Sequence, residues 1–522
     1  MKLSSRGSGR PAAVWGIIAV LAFVVAAFSV SVPEARAQAA VRPADDAKRY
    51  SQLLQSIYQF LISNYVDEPD PRKLYEGAMK GMLDSLGDPH SVFLDEPMLS
   101  DMMEETEGSY AGVGLYISKQ PGSAEENGPR YIEAVSPIEG SPAWKVGIHP
   151  GDLIIAIDGA DTSAMTVDEA SSHIRGAEGT KVTLRFRRGT NYEYEEEFIR
   201  ASIEIPAVKH ALIERGGIKI GYVRIIEWIP QTTDRVEEAL KDLSARGADR
   251  LIVDVRSNPG GLLSSVVEVS DLFLDSGTIV STRGRDSRDD EIFTADSKLS
   301  WPKEGRMIVL VNRGSASASE IFAGAMKDSR RALLLGEKTY GKGSVQQVFP
   351  LDTTGFKLTL ARYYTPSDVN IDKTGIEPDI VSKDVDFTDA MLDTLGRLVD
   401  SGKIESWAKA NPDAGTDKRN AFASSLIAAG FDLPESYLRR MVRDELDRTK
   451  IIPVYDAEFD IQMDKAIELL VGTDFESLLA EAKTLGERAA AGAAAGGDAA
   501  KSVSGAAVAA GSGNPPGNVA AP

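Results

Sequence analysis

Apolar residues from Tyr50 to Leu61, and again from Leu74 to Met82, recur every three or four positions. This spacing is typical of amphipathic helices and predicts an N-terminal helical region over residues 41–100. From Gly108 to Thr190 the pattern changes to short runs of β-branched and aromatic residues separated by glycines. Such runs predict strands, so we assign a β-rich domain to residues 108–190.

Strands and helices alternate between Ile203 and residue 386, and this alternation predicts an α/β domain. The predicted strands are Ile218–Ile225, Leu251–Val255 and Met307–Val311. The predicted helices that follow them are Thr233–Ala245, Leu262–Phe273 and Ser319–Lys327. We assign this domain to residues 203–386, and the first part of it can include residues 191–202.

Helical spacing returns beyond the α/β domain. It covers Ala390–Val399, Tyr437–Leu446 and Phe459–Leu470, which predicts a helical C-terminal region over residues 387–488. Residues 489–522 are rich in Ala, Gly, Ser and Pro without apolar periodicity, so we expect disorder there. The fold class is therefore α/β, in a multidomain α+β arrangement.

The first residues have the features of an export signal. Basic residues precede an uncharged run from Pro11 to Pro33, and the tripeptide Ala35–Ala37 has the small-x-small form of a cleavage site. The pattern predicts a signal peptide over residues 1–37 and a periplasmic or otherwise exported protein. An uncleaved tether to the inner membrane is the alternative, because the run approaches the roughly 20 residues that span a bilayer.

Composition excludes several classes of function. The formal net charge of −20 argues against nucleic acid as a partner, since phosphates bind Lys/Arg surfaces. The chain has no cysteine, which excludes disulfides, thiol catalysis and thiolate metal sites. None of its four histidines has metal-ligand spacing. We therefore expect neither a metal nor a cofactor.

A glycine-rich turn opens the β-rich domain and comprises Gly112, Val113, Gly114 and Leu115. Successive N–H groups in such a turn can form a nest for a terminal carboxylate, although an ordinary tight hairpin has the same pattern. Together with Pro150–Asp152, a strand ending in Ile157–Gly159 and a helix at Val167–Ile174, the turn closely resembles the PDZ domain family. The resemblance implies that the turn binds the C-terminus of a partner, with apolar residues preferred.

Ser317, Glu320 and the apolar residues that follow have the Ser-x-x-Glu pattern of a helix start. A serine there can simply cap the helix. It can also act as a nucleophile, because a helix start offers partial positive charge and free N–H groups to a developing oxyanion. Lys342, between Gly341 and Gly343, is a candidate base. As a base it must be desolvated, because a free lysine titrates near pH ~10.4; the alternative is a solvated loop lysine.

Two further segments are candidates for the same site. Gln346 shares a face with Lys342 on an extended strand, but about 13 Å would separate them at ~3.3 Å per residue, so a contact requires a bend. The loop Ser257–Gly261 joins a predicted strand to a helix, where α/β proteins usually bind ligands. Taken alone, this loop is equally an ordinary βα turn.

Several motifs in a fixed order resemble the C-terminal processing peptidases, which are tail-specific proteases with Ser-Lys catalysis. The matching motifs are Leu86–Ser91, Asp254–Gly261, Ser315–Asp328, Gly336–Gln346, Tyr363–Ser367 and Gly375–Asp379. The resemblance implies a crotonase-like α/β protease core with an attached PDZ domain, and a serine endopeptidase that works through an acyl-enzyme. Residues Asp368–Asp372 depart from the family pattern.

The family's roles transfer motif by motif. The resemblance implies that Ser317 is the nucleophile, Lys342 the general base and Gln346 the residue that orients the lysine. It assigns the oxyanion N–H groups to Gly260 and Ala318, and a supporting role at the site to an acidic residue, Asp328.

The implied partners are protein substrates with accessible, apolar C-terminal tails. An adaptor protein and a homo-oligomer remain open. So do two other functions: a non-catalytic PDZ scaffold of the cell envelope, and a crotonase-like acyl-CoA enzyme. Export argues against the second, because free CoA is a cytoplasmic cofactor.

Overall fold

The computed structural model describes residues 43–491, except for residues 108, 120–129, 139, 150, 190–191, 205, 297–299, 303, 386 and 448–453. The predicted signal peptide and residues 492–522 of the predicted disordered tail lie outside the described residues; residues 489–491 of that tail are helical. The chain divides into two compact units, residues 1–82 and 83–522. No helix within the described ranges is long and apolar enough to cross a bilayer.

Helices dominate the described part of the first unit, as the apolar spacing predicts. They are α1, Pro43–Asn64, and α2, Pro71–Asp84. The Tyr58 hydroxyl donates to the Pro71 carbonyl at 2.9 Å, which connects α1 to the start of α2.

The second unit contains the remaining described elements. Its strands are β1 Val92–Leu94, β2 Ser109–Gly112, β3 Leu115–Ser118, β4 Ile132–Pro137, β5 Leu153–Ile157, β6 Ala160–Asp161, β7 Lys181–Arg188, β8 Tyr192–Ile199, β9 Ala201–Glu204, β10 Val208–Arg215, β11 Ile218–Ile225, β12 Arg250–Asp254, β13 Thr278–Gly284, β14 Glu291–Thr294, β15 Arg306–Val311, β16 Leu333–Gly336, β17 Ser344–Leu351, β18 Thr354–Tyr364 and β19 Ile380–Val381. Its helices are α3 Glu96–Glu107, α4 Pro142–Lys145, α5 Val167–Ile174, α6 Thr232–Ala245, α7 Leu263–Asp271, α8 Ala318–Asp328, α9 Asp389–Asp400, α10 Lys403–Ala410, α11 Thr416–Ala428, α12 Glu435–Leu446, α13 Ile461–Val471 and α14 Phe475–Glu481. A 3₁₀ turn at Ser287–Asp289 and helical residues 485–491 complete the set.

The β-rich domain is one sheet in the order β3-β4-β5-β7-β8, with β6 paired to β5. Helix α5 occupies the residues that the sequence predicts, and Ala170 and Ile174 bury its apolar face in the domain core. Strand β8 pairs with β7 along its whole length, so this domain extends to Ile199 and residues 192–199 do not belong to the α/β domain. Sequence analysis missed this boundary because hairpin turns and domain linkers share the same glycine-rich, polar composition.

The α/β domain is built on a sheet in the order β10-β11-β12-β15-β16-β19, which is parallel except at β10. Helices α6, α7 and α8 pack on one face of this sheet. A second sheet contains β1, β18, β13 and β14, with β17 also paired to β18. Residues Val92–Leu94 therefore form a core strand, although the sequence placed them in a helical region.

The predicted C-terminal region divides into two parts with different partners. Helices α9 to α12 surround a hydrophobic core of their own, which includes Leu398, Leu426 and Leu438. Helices α13 and α14 instead cover the second face of the parallel sheet, where Met463 and Leu470 pack against its strands. Parallel strands need apolar cover on both faces, so this part belongs to the α/β domain.

An ion pair fixes α13 to the sheet close to the predicted oxyanion loop. The Arg256 guanidinium lies 2.7 Å from the carboxylate of Asp460, the residue just before α13. It also lies 2.6 Å from the carboxylate of Asp254, which is fully buried. The carbonyl of Leu470, near the helix end, accepts hydrogen bonds from Arg250 and Arg306. Both ends of α13 are therefore connected to strands of the sheet.

This packing predicts that Met463→Ala lowers the free energy of unfolding of the α/β domain by about 2–5 kcal/mol, because it leaves a cavity against the sheet. Urea denaturation followed by tryptophan fluorescence measures the change. Ile461→Ala on the same helix is the control, since Ile461 is 54% exposed, and we expect it to alter stability by at most about 0.5 kcal/mol. Equal unfolding midpoints for Met463→Ala and the parent would contradict the assignment of α13 to this domain.

Candidate active site

Three loops that follow neighbouring parallel strands form the candidate site. The loop after β12 carries Gly260, the loop after β15 carries Ser317, and the loop after β16 carries Lys342. The carboxyl ends of parallel strands meet at one edge of a sheet, which is where α/β folds bind ligands. Backbone hydrogen bonds join the loops, from Ala316 N–H to the Asn258 carbonyl and from Tyr340 N–H to the Ser315 carbonyl.

Three serines alternate at this helix start, and their hydrogen bonds distinguish them. The Ser315 hydroxyl donates to the Val255 carbonyl at 2.8 Å. The Ser319 hydroxyl donates to the Asn258 carbonyl at 3.0 Å. Among the described residues, the Ser317 hydroxyl donates to no loop carbonyl; its side chain lies near the Glu320 N–H and the Tyr363 hydroxyl instead. The outer two serines thus hold the loops together, and the middle hydroxyl is not needed to join them.

The backbone of Ser317 also differs from that of an ordinary helix cap. Its φ of 53° and ψ of −116° lie in a region that non-glycine residues rarely adopt. Ser317 and Glu320 have the positions of a capping box, but the Glu320 N–H donates to the Ser317 carbonyl at 2.8 Å. The Ser317 side chain lies near this N–H in capping-box geometry, but the N–H makes its well-formed hydrogen bond to the carbonyl. This geometry favours a nucleophile over a simple cap.

The carboxylate of Glu320 connects the serine loop to the lysine loop. It accepts hydrogen bonds from the N–H groups of Ser317, Gly341 and Lys342 at 3.0, 2.7 and 2.8 Å. It also accepts from the Thr339 hydroxyl at 2.5 Å. Burial raises the pKa of Glu320 above its ordinary value, although these hydrogen bonds oppose the shift. One buried carboxylate therefore sets the relative position of Ser317 and Lys342.

Lys342 lies in a half-buried position between two closely packed glycines. A Cβ on Gly341 would lie 2.9 Å from the Gly375 nitrogen, and a Cβ on Gly343 would lie 2.5 Å from the Asp372 nitrogen. Burial lowers the pKa of Lys342, and the positive charge of Lys357 lowers it further, whereas Glu320 raises it. The net shift is downward, which is the direction that a general base requires.

Gln346 occupies a bend, but its described contacts are with hydroxyl groups. The pairing of β17 with β18 shifts register at this residue, which is the bend that the sequence argument required. The amide of Gln346 donates to the hydroxyls of Ser344 at 2.8 Å and Thr359 at 3.3 Å. Among the described hydrogen bonds, none joins Gln346 to Lys342.

The Leu86–Ser91 motif hydrogen-bonds to β18 at the point where its pairing with β17 shifts register. Ser91 Oγ accepts a hydrogen bond from the Thr359 N–H at 3.0 Å and donates to Asp88 at 2.6 Å. Burial opposes ionisation of Asp88, but hydrogen bonds from Ser91 and Thr359 hold the pKa of this carboxyl below its ordinary value. The motif thus supplies a hydrogen-bond acceptor for the Thr359 N–H at the irregular part of the strand pairing.

The two predicted oxyanion donors are placed differently. Among the described residues, the Ala318 N–H donates to no acceptor. Gly260 packs against the same helix start, since a Cβ there would lie 2.8 Å from the Ser317 Cβ. However, its N–H donates to the Asn258 side-chain oxygen at 2.9 Å. In this conformation the Gly260 N–H is therefore engaged by Asn258, and its donation to an oxyanion stays a prediction.

Asp328 lies at the opposite end of α8 from Ser317. Its two oxygens accept hydrogen bonds from the N–H groups of Ser367 at 3.0 Å and Leu485 at 2.7 Å. Eleven residues of helix correspond to about 16 Å, so Asp328 does not contact Ser317 directly. In the described part of the chain, no group of three or more His, Asp or Glu side chains could hold a metal ion.

The glycine-rich turn borders a groove of about 250 Å³ between β3 and α5. Val113 is buried, and among the described residues the N–H groups of Val113 and Gly114 donate to no acceptor. Gly114 has a φ of +76°, and a Cβ there would lie 2.2 Å from the Ser141 Cβ, so only glycine fits. The groove is lined by Tyr110, Gly114, Leu115, Tyr116, Ile117, Ile138, Ser171, Ile174 and Arg175.

Comparisons with known proteins agree with this architecture. Residues 219–382 match peptidase family S41, residues 133–188 a PDZ domain, and residues 18–97 the N-terminal domain of the activating protease CtpB. A carboxy-terminal-processing protease of Bartonella bacilliformis is 41% identical over 346 residues, which cover 65% of this chain and 76% of that protein. The chain belongs to the C-terminal-processing proteases of peptidase family S41.

Other relatives have the same description. The carboxy-terminal processing protease CtpB of Bacillus subtilis is 33% identical over 363 residues, which cover 69% of this chain and 73% of that protein. Among solved structures, the photosystem II D1 C-terminal processing protease is 31% identical; the match covers 64% of this chain and 92% of that chain, with a TM-score of 0.39. As a C-terminal-processing protease, the chain is a serine-type peptidase with a PDZ domain, and the predicted fold class is confirmed.

Sequence analysis of this C-terminal-processing protease missed three residues that surround the predicted pair. Glu320 was interpreted only as part of a capping box, since nothing in its spacing indicates contacts with residues 339–342. Lys357 and Tyr363 lie on β18, whose closeness to the site depends on the packing of the second sheet. Long-range packing of this kind leaves no periodic signal in a single sequence.

Replacing Glu320 by glutamine places an amide NH₂ opposite N–H donors and removes the charge that attracts them. We expect Glu320→Gln to reduce peptide cleavage at least about tenfold and to lower the free energy of unfolding by about 1–3 kcal/mol. Glu377→Gln is the control, because Glu377 forms only a half-exposed ion pair with Lys338 near the same loop. Full activity of Glu320→Gln, measured on an unstructured substrate, would contradict the bridging role of this carboxylate.

Proposed function

We propose that this protein is an exported serine endopeptidase that captures substrate C-terminal tails in its PDZ groove and cleaves them through an acyl-enzyme on Ser317. One observation carries the proposal: a serine at a strained helix start, whose hydroxyl donates to no loop carbonyl in the described structure, is held beside a half-buried lysine loop by a single carboxylate. A helix cap alone does not explain this strain.

In the proposed reaction, neutral Lys342 accepts the hydroxyl proton of Ser317 as the oxygen attacks the peptide carbonyl. The C–O bond to serine forms, the carbonyl electron pair moves to oxygen, and the lysine becomes an ammonium. The ammonium then donates its proton to the leaving amine. Water attacks the acyl-enzyme by the reverse proton path and releases the product.

The Ala318 N–H is suited to stabilise the oxyanion, because it belongs to the first turn of α8 and lacks an acceptor. The Gly260 N–H joins it only when the Asn258 side chain releases it. For Gln346, we propose that its amide oxygen orients the lysine amine, since its NH₂ group is already held by Ser344 and Thr359.

Tail capture by the PDZ domain rests on groups that match a peptide end. Free N–H groups at Val113 and Gly114 suit a terminal carboxylate, and Leu115, Ile117 and Ile174 form apolar walls for the last side chain. An extended peptide can add to the edge of β3, which among the described strands pairs with β4 alone. Export is proposed from the N-terminal segment, which lies outside the described residues.

The decisive experiment compares cleavage of an unstructured protein by the mature enzyme and by Ser317→Ala and Lys342→Ala variants. We expect each variant to lose at least about 10³-fold in kcat while remaining folded. Ser329→Ala, at the far end of α8, and Lys338→Ala, on the exposed part of the lysine loop, are matched controls. Unchanged cleavage by Ser317→Ala would refute the proposed function.

The same assay tests tail capture. A substrate with an apolar C-terminus is compared with the same substrate ending in a charged residue or in a carboxamide. We expect the apolar tail to have the lowest KM, and equal KM values for all three would refute tail capture without affecting the catalytic assignment.

Activity should increase with pH as Lys342 loses its proton. The pH at which this rising limb of the pH–activity profile occurs should depend on Lys357. Removing the Lys357 charge makes protonated Lys342 less unfavourable and so raises the pKa of Lys342. Lys357→Gln should therefore move the limb to higher pH and reduce kcat/KM at pH 7 by about two- to fivefold. Lys357→Arg retains the charge and should retain the profile. Identical limbs for Lys357→Gln and the parent would show that Lys357 does not affect the base.

A further inference from the structure

Tyr363 presents a buried hydroxyl that the mechanism above does not use. The residue lies on β18, is 2% exposed and belongs to the hydrophobic core of the α/β domain. Its Oη is fully buried and forms no hydrogen bond in the described structure. A buried polar group without a partner costs about 1–3 kcal/mol, so its retention calls for a functional explanation.

The backbone places this phenol at the candidate site. The Tyr363 N–H donates to the carbonyl of Gly343, the residue after Lys342, at 3.1 Å. The Tyr363 carbonyl accepts a hydrogen bond from the Asn370 amide at 2.9 Å. The backbone N–H and the carbonyl of Tyr363 are therefore both hydrogen-bonded, and the first of these bonds holds β18 beside the lysine loop.

The phenol hydroxyl faces the Ser317 side chain. The two hydroxyls therefore lie close together, although Tyr363 Oη makes no hydrogen bond of ordinary geometry in the described structure. Burial, and the negative charges of Glu320 and Asp372, raise the pKa of Tyr363 well above its ordinary value. The phenol therefore keeps its proton and can act only as a donor towards an oxygen that gains negative charge.

We propose that Tyr363 is a further catalytic residue, whose hydroxyl donates a hydrogen bond to Ser317 Oγ during formation and breakdown of the acyl-enzyme. The inference rests on the proposed function of Ser317. Donation to one lone pair of Oγ leaves the second lone pair for attack on the carbonyl and directs the serine proton to Lys342. The same bond stabilises Oγ when it departs from the acyl group. Tyr363 remains protonated throughout, so the proton balance of the reaction is unchanged.

Tyr363→Phe tests this role because it removes the hydroxyl and preserves the packed ring. We expect kcat to fall about 10- to 100-fold, KM to change less than about twofold, and the pH limb set by Lys342 to stay in place. Because an unpaired polar group is lost, thermal stability should be unchanged or higher. Labelling of Ser317 by a serine-directed fluorophosphonate should slow in parallel with kcat.

Tyr364→Phe is the matched control on the next position of β18, where the ring stacks under Arg283 at 4.1 Å, and we expect parental activity. Full kcat in Tyr363→Phe would overturn the inference. So would a loss of kcat that matches a loss of folded protein, since the hydroxyl would then act through stability. If Ser317→Ala is inactive while Tyr363→Phe is fully active, only this inference fails; if Ser317→Ala cleaves normally, the proposed function fails.

Discussion

The arrangement of the site depends on the buried carboxylate of Glu320. Burying an ionised carboxylate costs several kcal/mol unless donors surround it, and here three backbone N–H groups and one hydroxyl do so. Two of these donors belong to Ser317 and Lys342, whose loops follow different strands. Because separating the loops would leave the carboxylate without its donors, the serine and the lysine must move together. The fold thus sets the relative position of the two loops through one buried carboxylate.

The strands that present these loops are stabilised on both faces by helices from distant parts of the sequence. Helix α8 begins with Ser317 as its cap and packs on one face, while α13, more than 130 residues later, packs on the other. Arg256 connects the second layer to the strand that leads to Gly260, through Asp460 and the fully buried Asp254. Since Asp254 has no access to water, the loss of Arg256 would leave an unpaired buried charge. The C-terminal segment therefore supports the geometry of the predicted oxyanion loop as well as the sheet.

Local signals in the sequence predicted the elements well and their partners poorly. Periodicity located α5 and β11 to the residue, and motif order located Ser317 and Lys342 at neighbouring strand ends. Helix α13 was also predicted, but a 3.6-residue period identifies an apolar face without identifying what covers it. The same limit explains β8 and β1, whose assignment depends on pairing with β7 and β18. The Asn258–Gly260 hydrogen bond was unpredictable because it depends on loop geometry, which residue type alone does not determine.

The hydrogen bonds that the proposed reaction needs and the described structure lacks all lie around the Ser317 side chain. Ser317 makes no described hydrogen bond to Lys342, the Tyr363 hydroxyl has no partner, and the Gly260 N–H is held by Asn258. Each of these contacts involves either the Ser317 side chain or the loop packed against it, whereas the hydrogen bonds of Glu320 are complete. Catalytic hydrogen bonds commonly tighten only when substrate is bound. In the proposed reaction the Ser317 hydroxyl must reach Lys342 and the Gly260 N–H must leave Asn258, and the hydrogen bonds of Glu320 involve neither of these two groups. Substrate binding can therefore complete the proposed site while the carboxylate bridge stays intact.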